Sequence, residues 1–180
     1  MGNRNAFLAE TSKEVLKHAA AARGASAGGI ILVPVDFSDH SEAALVKAAE
    51  YAQAMNASLV ALHVVHDPGE MPGYYSKLIK KKRATKIQDM AAEAFDRFMD
   101  RASEQDPQYK CLQEADRLMV LGLPVTRILE VVSYFEPMMV VMGSQGRTGL
   151  KHLFIGSKAA QIVQLCPVPV TIVKKQDVAA

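Results

Sequence analysis

The sequence predicts an α/β protein with a single doubly wound domain around a five-stranded parallel sheet. Three observations support this prediction. Five short apolar runs alternate with segments of helical periodicity, which is the pattern of parallel-sheet proteins. Most of these runs are apolar almost without interruption, as expected of strands buried on both faces. The 180 residues, 49% hydrophobic and 22% charged, are enough for one domain with its own core.

The first half of the chain contains two predicted strands and two predicted helices. Ile30–Val35 is rich in β-branched residues and follows a pair of glycines, which is typical of a strand. Leu45–Ala52 places apolar residues at i, i+3, i+4 and i+7, the pattern of a helix with one buried face. Ser58–Val65 is the second predicted strand, and Ile87–Phe98 repeats the helical pattern over three turns.

The second half continues the same alternation. Asp116–Leu121 is a weaker predicted strand. A helical pattern follows in Ile128–Phe135, then an apolar strand in Met138–Met142. Ala159–Cys166 predicts a fourth helix, and Val168–Val173 predicts the last strand. Ligands of such sheets bind beyond the carboxyl ends of the strands, where the strand order reverses.

The predicted domain spans residues 29–175, with segments 1–28 and 176–180 outside it. Residues 1–28 contain an amphipathic pattern and are predicted to be a helical extension, which could pack on the domain, pair with a partner or be mobile. Residues 67–83 are predicted to form a loop that leads into the second helix. Their basic run, Lys80–Arg83, is more typical of a solvated helix start than of an anion-binding surface.

Charge and cysteine content argue against several classes of function. A net charge of +2, from 21 basic and 19 acidic residues, gives no field that would attract nucleic acid. Cys111 and Cys166 lack CxxC pairing and zinc-ligand spacing, which is typical of reduced thiols in the cytosol. His63 and His66 would point to opposite faces of a strand, so we expect no metal site. No apolar run approaches the roughly 20 residues of a membrane span, so we expect a cytoplasmic protein without a membrane partner.

A glycine-rich segment follows the fourth predicted strand, from Gly143 to Ser157. Gly143 and Gly146 are expected to turn the backbone with positive φ and to let it approach an anion, because no Cβ is in the way. Gly156 and Ser157 open a helix, whose first N–H groups and macrodipole favour phosphate. Neither GxxxxGK[ST] nor GxGxxG is present, which argues against P-loop phosphoryl transfer and against a dinucleotide oxidoreductase.

The residues of this region allow more than one interpretation. Asp36 ends a buried strand, where it could bind a nucleotide base or ribose, or accept turn N–H groups. The glycines could be ordinary turn and cap glycines, and the Ser157 hydroxyl could cap its helix. Arg147 is a candidate phosphate partner, although an arginine on a surface loop is often only solvated. Three glycines and a serine at this spacing favour nucleotide phosphate.

The spacing G-2x-G-9x-G-[S/T] after an apolar strand resembles the ATP-binding signature of the universal stress protein family. Three further segments resemble the same family in the same order, namely Pro34–Leu45, Gly122–Pro124 and Cys166–Val170. The resemblance covers about residues 29–174. It implies a five-stranded fold of the adenine nucleotide α-hydrolase-like type that binds ATP and forms a homodimer along its last strand, Val168–Val173.

The resemblance also implies which residues contact the nucleotide. Pro34, Val35 and Asp36 match positions that line the adenine and ribose side. Val64 matches an adenine-contacting position. The ribose and phosphate positions are matched by Met142, Gly143, Gly146, Arg147, Gly156 and Ser157. One departure is Ala159, where ATP-binding members often have serine or threonine, so that one side-chain contact to phosphate is missing.

The function expected from the sequence is that of an ATP-binding stress-response or regulatory module, at most a weak ATPase. No pair of carboxylates and no positioned lysine or histidine base accompanies the glycine-rich segment. Mg²⁺ commonly accompanies a triphosphate and would arrive with ATP. Two alternatives remain open. One is a dimeric scaffold that has lost nucleotide binding. The other is an ATP-hydrolysing enzyme of a related doubly wound class, although such an enzyme would need a further substrate-binding domain, for which 180 residues leave no room.

Overall fold

The computed structural model describes residues 5–25, 28–65, 81–146 and 155–175, without the side chains of 25 and 81–85. The strands are β1 (Phe7–Ala9), β2 (Ile30–Pro34), β3 (Ser58–Val65), β4 (Asp116–Leu121), β5 (Met139–Gly143) and β6 (Val170–Val173). The helices are α1 (Ser12–Ala25), α2 (Asp39–Met55), α3 (Lys81–Gln105), α4 (Lys110–Glu114), α5 (Pro124–Phe135) and α6 (Ser157–Leu165). The predicted tail 176–180, His66 and residues 67–80 of the predicted loop lie outside the described residues.

All six strands form one parallel sheet in the order β1-β4-β3-β2-β5-β6. The doubly wound α/β fold is therefore confirmed, but the prediction of five strands is wrong. The sixth strand, β1, lies in the segment predicted to be a helical extension, and it pairs with β4 from Phe7↔Leu118 to Ala9↔Val120. Three residues are too few to show the period of a strand, which is why the sequence pattern did not reveal it.

Helices cover both faces of the sheet and enclose two separate cores. One core lies against α2, α3 and α4 and includes Leu45 and Phe95, so we call this side the α2–α3 face. The other lies against α1, α5 and α6 and includes Phe135 and Ile162, and we call it the α5–α6 face. Successive residues of β2 alternate between the two cores, which explains why the strand is apolar throughout. No helix in the described ranges has the length and apolarity that a membrane crossing requires.

Of the described residues before position 28, α1 and Ala9 of β1 pack into the α5–α6 face. Ala9 of β1 and both Val15 and Ala19 of α1 are completely buried there. The hydroxyl of Ser12 also donates to Glu130 of α5 at 2.5 Å. This segment therefore contributes a strand to the sheet and a helix to the covering layer.

A buried arginine ties α3, β4 and the chain before β1 together. The guanidinium of Arg117 in β4 donates to Asp96 at 2.9 Å and to Asp100 at 2.7 Å, both in α3. The backbone N–H of Ala6 donates to the same oxygen of Asp96 at 3.0 Å. The Arg117 side chain is only 5% exposed, so these two carboxylates compensate a charge that has little access to water.

Candidate functional site

The strand order reverses between β2 and β5. From β2 the chain continues to β3 and β4 on one side of the sheet, and then to β5 and β6 on the other. The carboxyl ends of β2 and β5 therefore form a topological switch point, which is where doubly wound sheets bind ligands. Asp36 lies two residues after β2, and Gly143 is the last residue of β5. Both predicted strand ends meet at this switch point.

The glycine-rich segment contacts Asp36 directly. A Cβ added at Gly146 would lie 2.6 Å from Oδ2 of Asp36, a separation that real Cβ atoms essentially never show. The other oxygen, Oδ1, accepts from the backbone N–H of Ser38 at 3.2 Å and from its hydroxyl at 2.6 Å. Asp36 therefore uses one oxygen to form the turn into α2, as one interpretation predicted, while its second oxygen faces Gly146.

The prediction of positive φ at Gly143 and Gly146 is wrong. Among the described glycines, positive φ occurs at Gly29 and Gly122. Gly143 is required by close packing instead, because a Cβ there would lie 2.7 Å from the carbonyl carbon of His40. The missing side chain lets the end of β5 run directly against the first turn of α2.

Ser144 joins the two ends of the glycine-rich segment. Its carbonyl accepts the N–H of Gly156 at 2.7 Å, and its own N–H donates to Val173 of β6 at 2.8 Å. Ser144 is 1% exposed, and its hydroxyl lies 3.4 Å from Nδ1 of His40. These contacts place the start of α6 beside the end of β5. Ser144 was not among the residues predicted for the site, and its position inside the glycine-rich segment was the available signal.

The N-terminus of α6 presents backbone N–H groups. Gly156 is the N-cap, and no side chain among the described residues caps this helix. The first helical hydrogen bond runs from Ala160 N–H to the Gly156 carbonyl at 2.9 Å, so the N–H groups of residues 157–159 precede the ladder. Such a terminus favours an anion. Ser157 is exposed and does not cap the helix, which leaves its role toward a ligand as a prediction. Ala159 is buried in the core of the α5–α6 face.

The apolar residues predicted for the site do not all lie on one face. Met142 and Val64 pack with the core of the α5–α6 face, and the alternation along β2 places Pro34 there as well. The side chain of Val35 lies in the core of the opposite face. Its N–H donates to the carbonyl of Leu62 at 2.8 Å. Val35 therefore lies close to the switch point but directs its side chain away from it.

The turn after Asp36 has a conformation that the sequence did not reveal. Phe37 has a φ of 63°, in the left-handed region that bulky side chains rarely adopt. Its ring stacks on that of His63 in β3, with the ring centroids 4.2 Å apart. Residue type alone gives no signal for such a conformation, since aromatic side chains are not typical of positive φ.

Polar contacts fasten the end of β6 to the start of α2. The ammonium of Lys175 donates to Asp39 at 2.6 Å, and this hydrogen bond and charge hold the pKa of Asp39 below its ordinary value of 3.8. The backbone N–H of Lys175 donates to Nδ1 of His40 at 3.2 Å, which assigns the proton of a neutral ring to Nε2. Within the described ranges, no three His, Cys, Asp or Glu side chains are grouped to hold a metal ion. Arg147 lies outside the described residues.

Comparison with known proteins decides the family. The family model described as "Universal stress protein family" matches residues 29–174. The chain belongs to this family. Among similar universal stress proteins is the one in the QAH/OAS sulfhydrylase 3′ region of Thermus aquaticus, 29% identical over 147 residues that cover 80% of this chain and 97% of the relative. The match begins after α1, so β1 and α1 precede the part that the family model describes.

Solved universal stress proteins share the fold. The protein UspA from Lactobacillus plantarum superposes with a TM-score of 0.66 at 25% identity, covering 81% of this chain and 97% of that chain. A universal stress protein in complex with cAMP has a TM-score of 0.55 at 24% identity and covers 84% and 100%. One from Archaeoglobus fulgidus in complex with dAMP has a TM-score of 0.53 at 19% identity and covers 83% and 99%.

Proposed function

We propose that this universal stress protein binds an adenine nucleotide, with ATP as the principal ligand, and acts as a cytoplasmic stress-response or regulatory module. The contact between Gly146 and Asp36 carries the proposal. This contact brings the Asp36 carboxylate beside a backbone segment that leads to the N-terminus of α6. The carboxylate can accept hydrogen bonds from the hydroxyl or amino groups of a nucleoside. The two related proteins that hold cAMP and dAMP support adenine as the recognised base.

Charge determines how the nucleotide would lie. Phosphates repel the carboxylate of Asp36 and are favoured at the N-terminus of α6, where Gly156 and Ser157 begin the helix. The nucleoside then lies toward Asp36 and the apolar side chains of Val64 and Met142 on the α5–α6 face. We include Arg147 as a phosphate partner, because a guanidinium forms charge-assisted hydrogen bonds to phosphate oxygens.

The proposal includes slow hydrolysis or none, because two titratable groups that the structure describes beside the switch point, Asp36 and His40, already make structural hydrogen bonds. Oδ1 of Asp36 accepts two hydrogen bonds from Ser38, and Nδ1 of His40 accepts the N–H of Lys175. A general base has to reach the attacking water in the bound complex. Atoms that already accept structural hydrogen bonds are poorly placed to do so. Mg²⁺ bound with ATP would be held chiefly by phosphate oxygens and water.

Nucleotide binding is tested by denaturing the purified protein and identifying released nucleotide by mass spectrometry, followed by calorimetric titration with ATP. Gly146→Ala should weaken ATP binding by about tenfold or more, because the new Cβ displaces the Asp36 carboxylate. Gly24→Ala is the matched control, since a Cβ there meets nothing within 4 Å. Unchanged affinity in Gly146→Ala would refute this placement of the site. Absence of nucleotide from the wild type would favour the dimeric scaffold, and rapid ADP release would favour the enzyme.

We also propose a homodimer along the last strand. β6 ends the sheet, and its four residues are only partly buried. Val163 and Leu165 of the neighbouring α6 are 47% and 60% exposed. Analytical ultracentrifugation should show that Leu165→Glu weakens dimerisation, whereas Leu16→Glu, at a 47% exposed position in α1, does not. A monomeric wild type would refute the homodimer.

A further inference from the structure

One side chain of β3 holds both neighbours of Asp36. Nδ1 of His63 lies 2.9 Å from the carbonyl oxygen of Val35. A carbonyl oxygen only accepts, so Nδ1 carries the proton and donates. The same imidazole ring stacks on Phe37 at 4.2 Å, with an interplanar angle of 27°. His63 thus contacts the residue before Asp36 and the residue after it.

The conformation of Phe37 needs this support. Its φ of 63° is unfavourable for a bulky residue and persists only where the surroundings fix it. Besides His63, the Phe37 ring contacts Phe95 and Phe98 of α3, with centroids 5.9 and 5.6 Å away. Both α3 residues are buried, at 0% and 3% exposure. The turn is therefore pinned between β3 and α3 by aromatic packing, in which His63 is the member that also makes a hydrogen bond to the backbone.

The backbone around Asp36 has little freedom as a result. Val35 donates its N–H to Leu62 and accepts at its carbonyl from His63, so both of its polar groups are engaged. Val35 packs on the α2–α3 face, as Phe37 does, whereas the carboxylate of Asp36 lies beside Gly146. The contact with Ser38 fixes the carboxylate relative to the turn, whereas His63 fixes the turn relative to the sheet.

We infer that His63 is a positioning residue that holds the Asp36 carboxylate for recognition of the nucleoside, and that it thereby gives the site selectivity for nucleotides over bare phosphate chains; this inference rests on the proposed nucleotide function. A carboxylate discriminates through the hydroxyl and amino groups that it accepts from, and inorganic triphosphate has none of the nucleoside's groups. The backbone N–H groups at the N-terminus of α6 can bind the phosphates of ATP and of inorganic triphosphate alike. Loss of His63 should therefore weaken ATP binding selectively.

Three substitutions separate the two contacts of His63. His63→Phe keeps a ring for Phe37 and removes the donor to Val35, while His63→Asn keeps a donor near the position of Nδ1 and removes the ring. His63→Leu removes both and should weaken ATP binding by about tenfold, within the coupling range of contacting residues. The Phe and Asn variants should retain part of the affinity. Binding of inorganic triphosphate should change by less than about twofold in all three. His18→Leu is the matched control, because His18 also stacks on a phenylalanine, Phe7, but lies in α1.

A double-mutant cycle shows whether His63 acts through the carboxylate. In an Asp36→Asn background, His63→Leu should change ATP affinity by less than about twofold. A tenfold loss in both backgrounds, or a parallel loss of triphosphate affinity and melting temperature, would mean a structural role and overturn the inference. ATP affinity that is unchanged by His63→Leu would overturn it alone, with the proposed function intact. A wild type that binds no ATP would refute both.

Discussion

Replacing Gly143 by alanine probes how closely β5 packs against α2. The added Cβ would lie 2.7 Å from the carbonyl carbon of His40 and 2.8 Å from its oxygen. Ordinary van der Waals contact begins at 3.4 Å, so strand and helix would have to separate by about 0.7 Å, the difference between the contact and clash distances. Such overpacking costs about 1–3 kcal/mol. Because the obstructing atoms belong to backbone, which cannot rotate away, we expect the upper part of this range.

The assay is urea unfolding followed by circular dichroism. We expect Gly143→Ala to lower the free energy of unfolding by about 2–3 kcal/mol and the melting temperature by about 4–12 °C. Gly24→Ala makes the same chemical change inside α1, where the new Cβ meets nothing within 4 Å. Alanine is the better helix former, so this control should stabilise the protein by up to about 1 kcal/mol.

The two alanine variants should therefore differ in sign. A Gly143→Ala protein as stable as the wild type would refute the argument that close packing requires this glycine. Equal destabilisation in both variants would also refute it, because the effect would then be independent of the neighbouring atoms.

Three other predictions concern charged and reactive side chains. Lys175→Met should raise the pKa of Asp39 toward its ordinary value of 3.8, measured by NMR titration. Because the folded-state pKa is lowered, the contact stabilises the protein above that value and its contribution is lost as the pH falls, so an unchanged pKa would contradict the contact. Burial raises the pKa of the Cys111 thiol above its ordinary value of 9.0. In a Cys166→Ala variant, alkylation of Cys111 at about pH 8 should therefore be slower than alkylation of a free cysteine. Equal rates would argue against burial of Cys111. Arg117→Met should lower the free energy of unfolding in urea by about 2–3 kcal/mol. This is less than for a fully enclosed ion pair, because the side chains of Asp96 and Asp100 are 27% and 52% exposed. A decrease below about 0.5 kcal/mol would contradict the buried network.

The sequence was sufficient for most of the fold because most of its strands carry a clear apolar pattern. Strands β2 to β6 are apolar runs separated by helical periods, and in the structure the predicted runs fall on these strands with shifts of one or two residues at some ends. β1 could not be predicted, since Phe7–Ala9 is too short to show a period and is stabilised by pairing with β4. The short helix α4 (Lys110–Glu114) was also missed, because five residues show less than two turns of a pattern.

The candidate site could be predicted in part, for a reason that topology explains. The carboxyl ends of neighbouring parallel strands meet at one edge, so Asp36 and the glycine-rich segment had to come close. What glycine accomplishes there was not predictable from residue type, because excluded Cβ atoms and positive φ select the same residue. At Gly143 the reason is the excluded Cβ, since this glycine does not have a positive φ. The roles of Phe37 and His63 depend on tertiary contacts that no local pattern encodes.

The β1–α1 segment is consistent with the proposed dimer through β6, because it changes the opposite edge of the sheet. The family match begins at residue 29, so β1 is an addition that covers β4. A strand of three residues is a poor template for pairing with another chain, and short edge strands are one way in which proteins prevent open-ended association. In the proposed homodimer, this blunted edge would leave β6 as the edge through which two copies pair. Two copies that pair through the same strand form an isologous interface, which closes after two subunits and does not propagate into a filament.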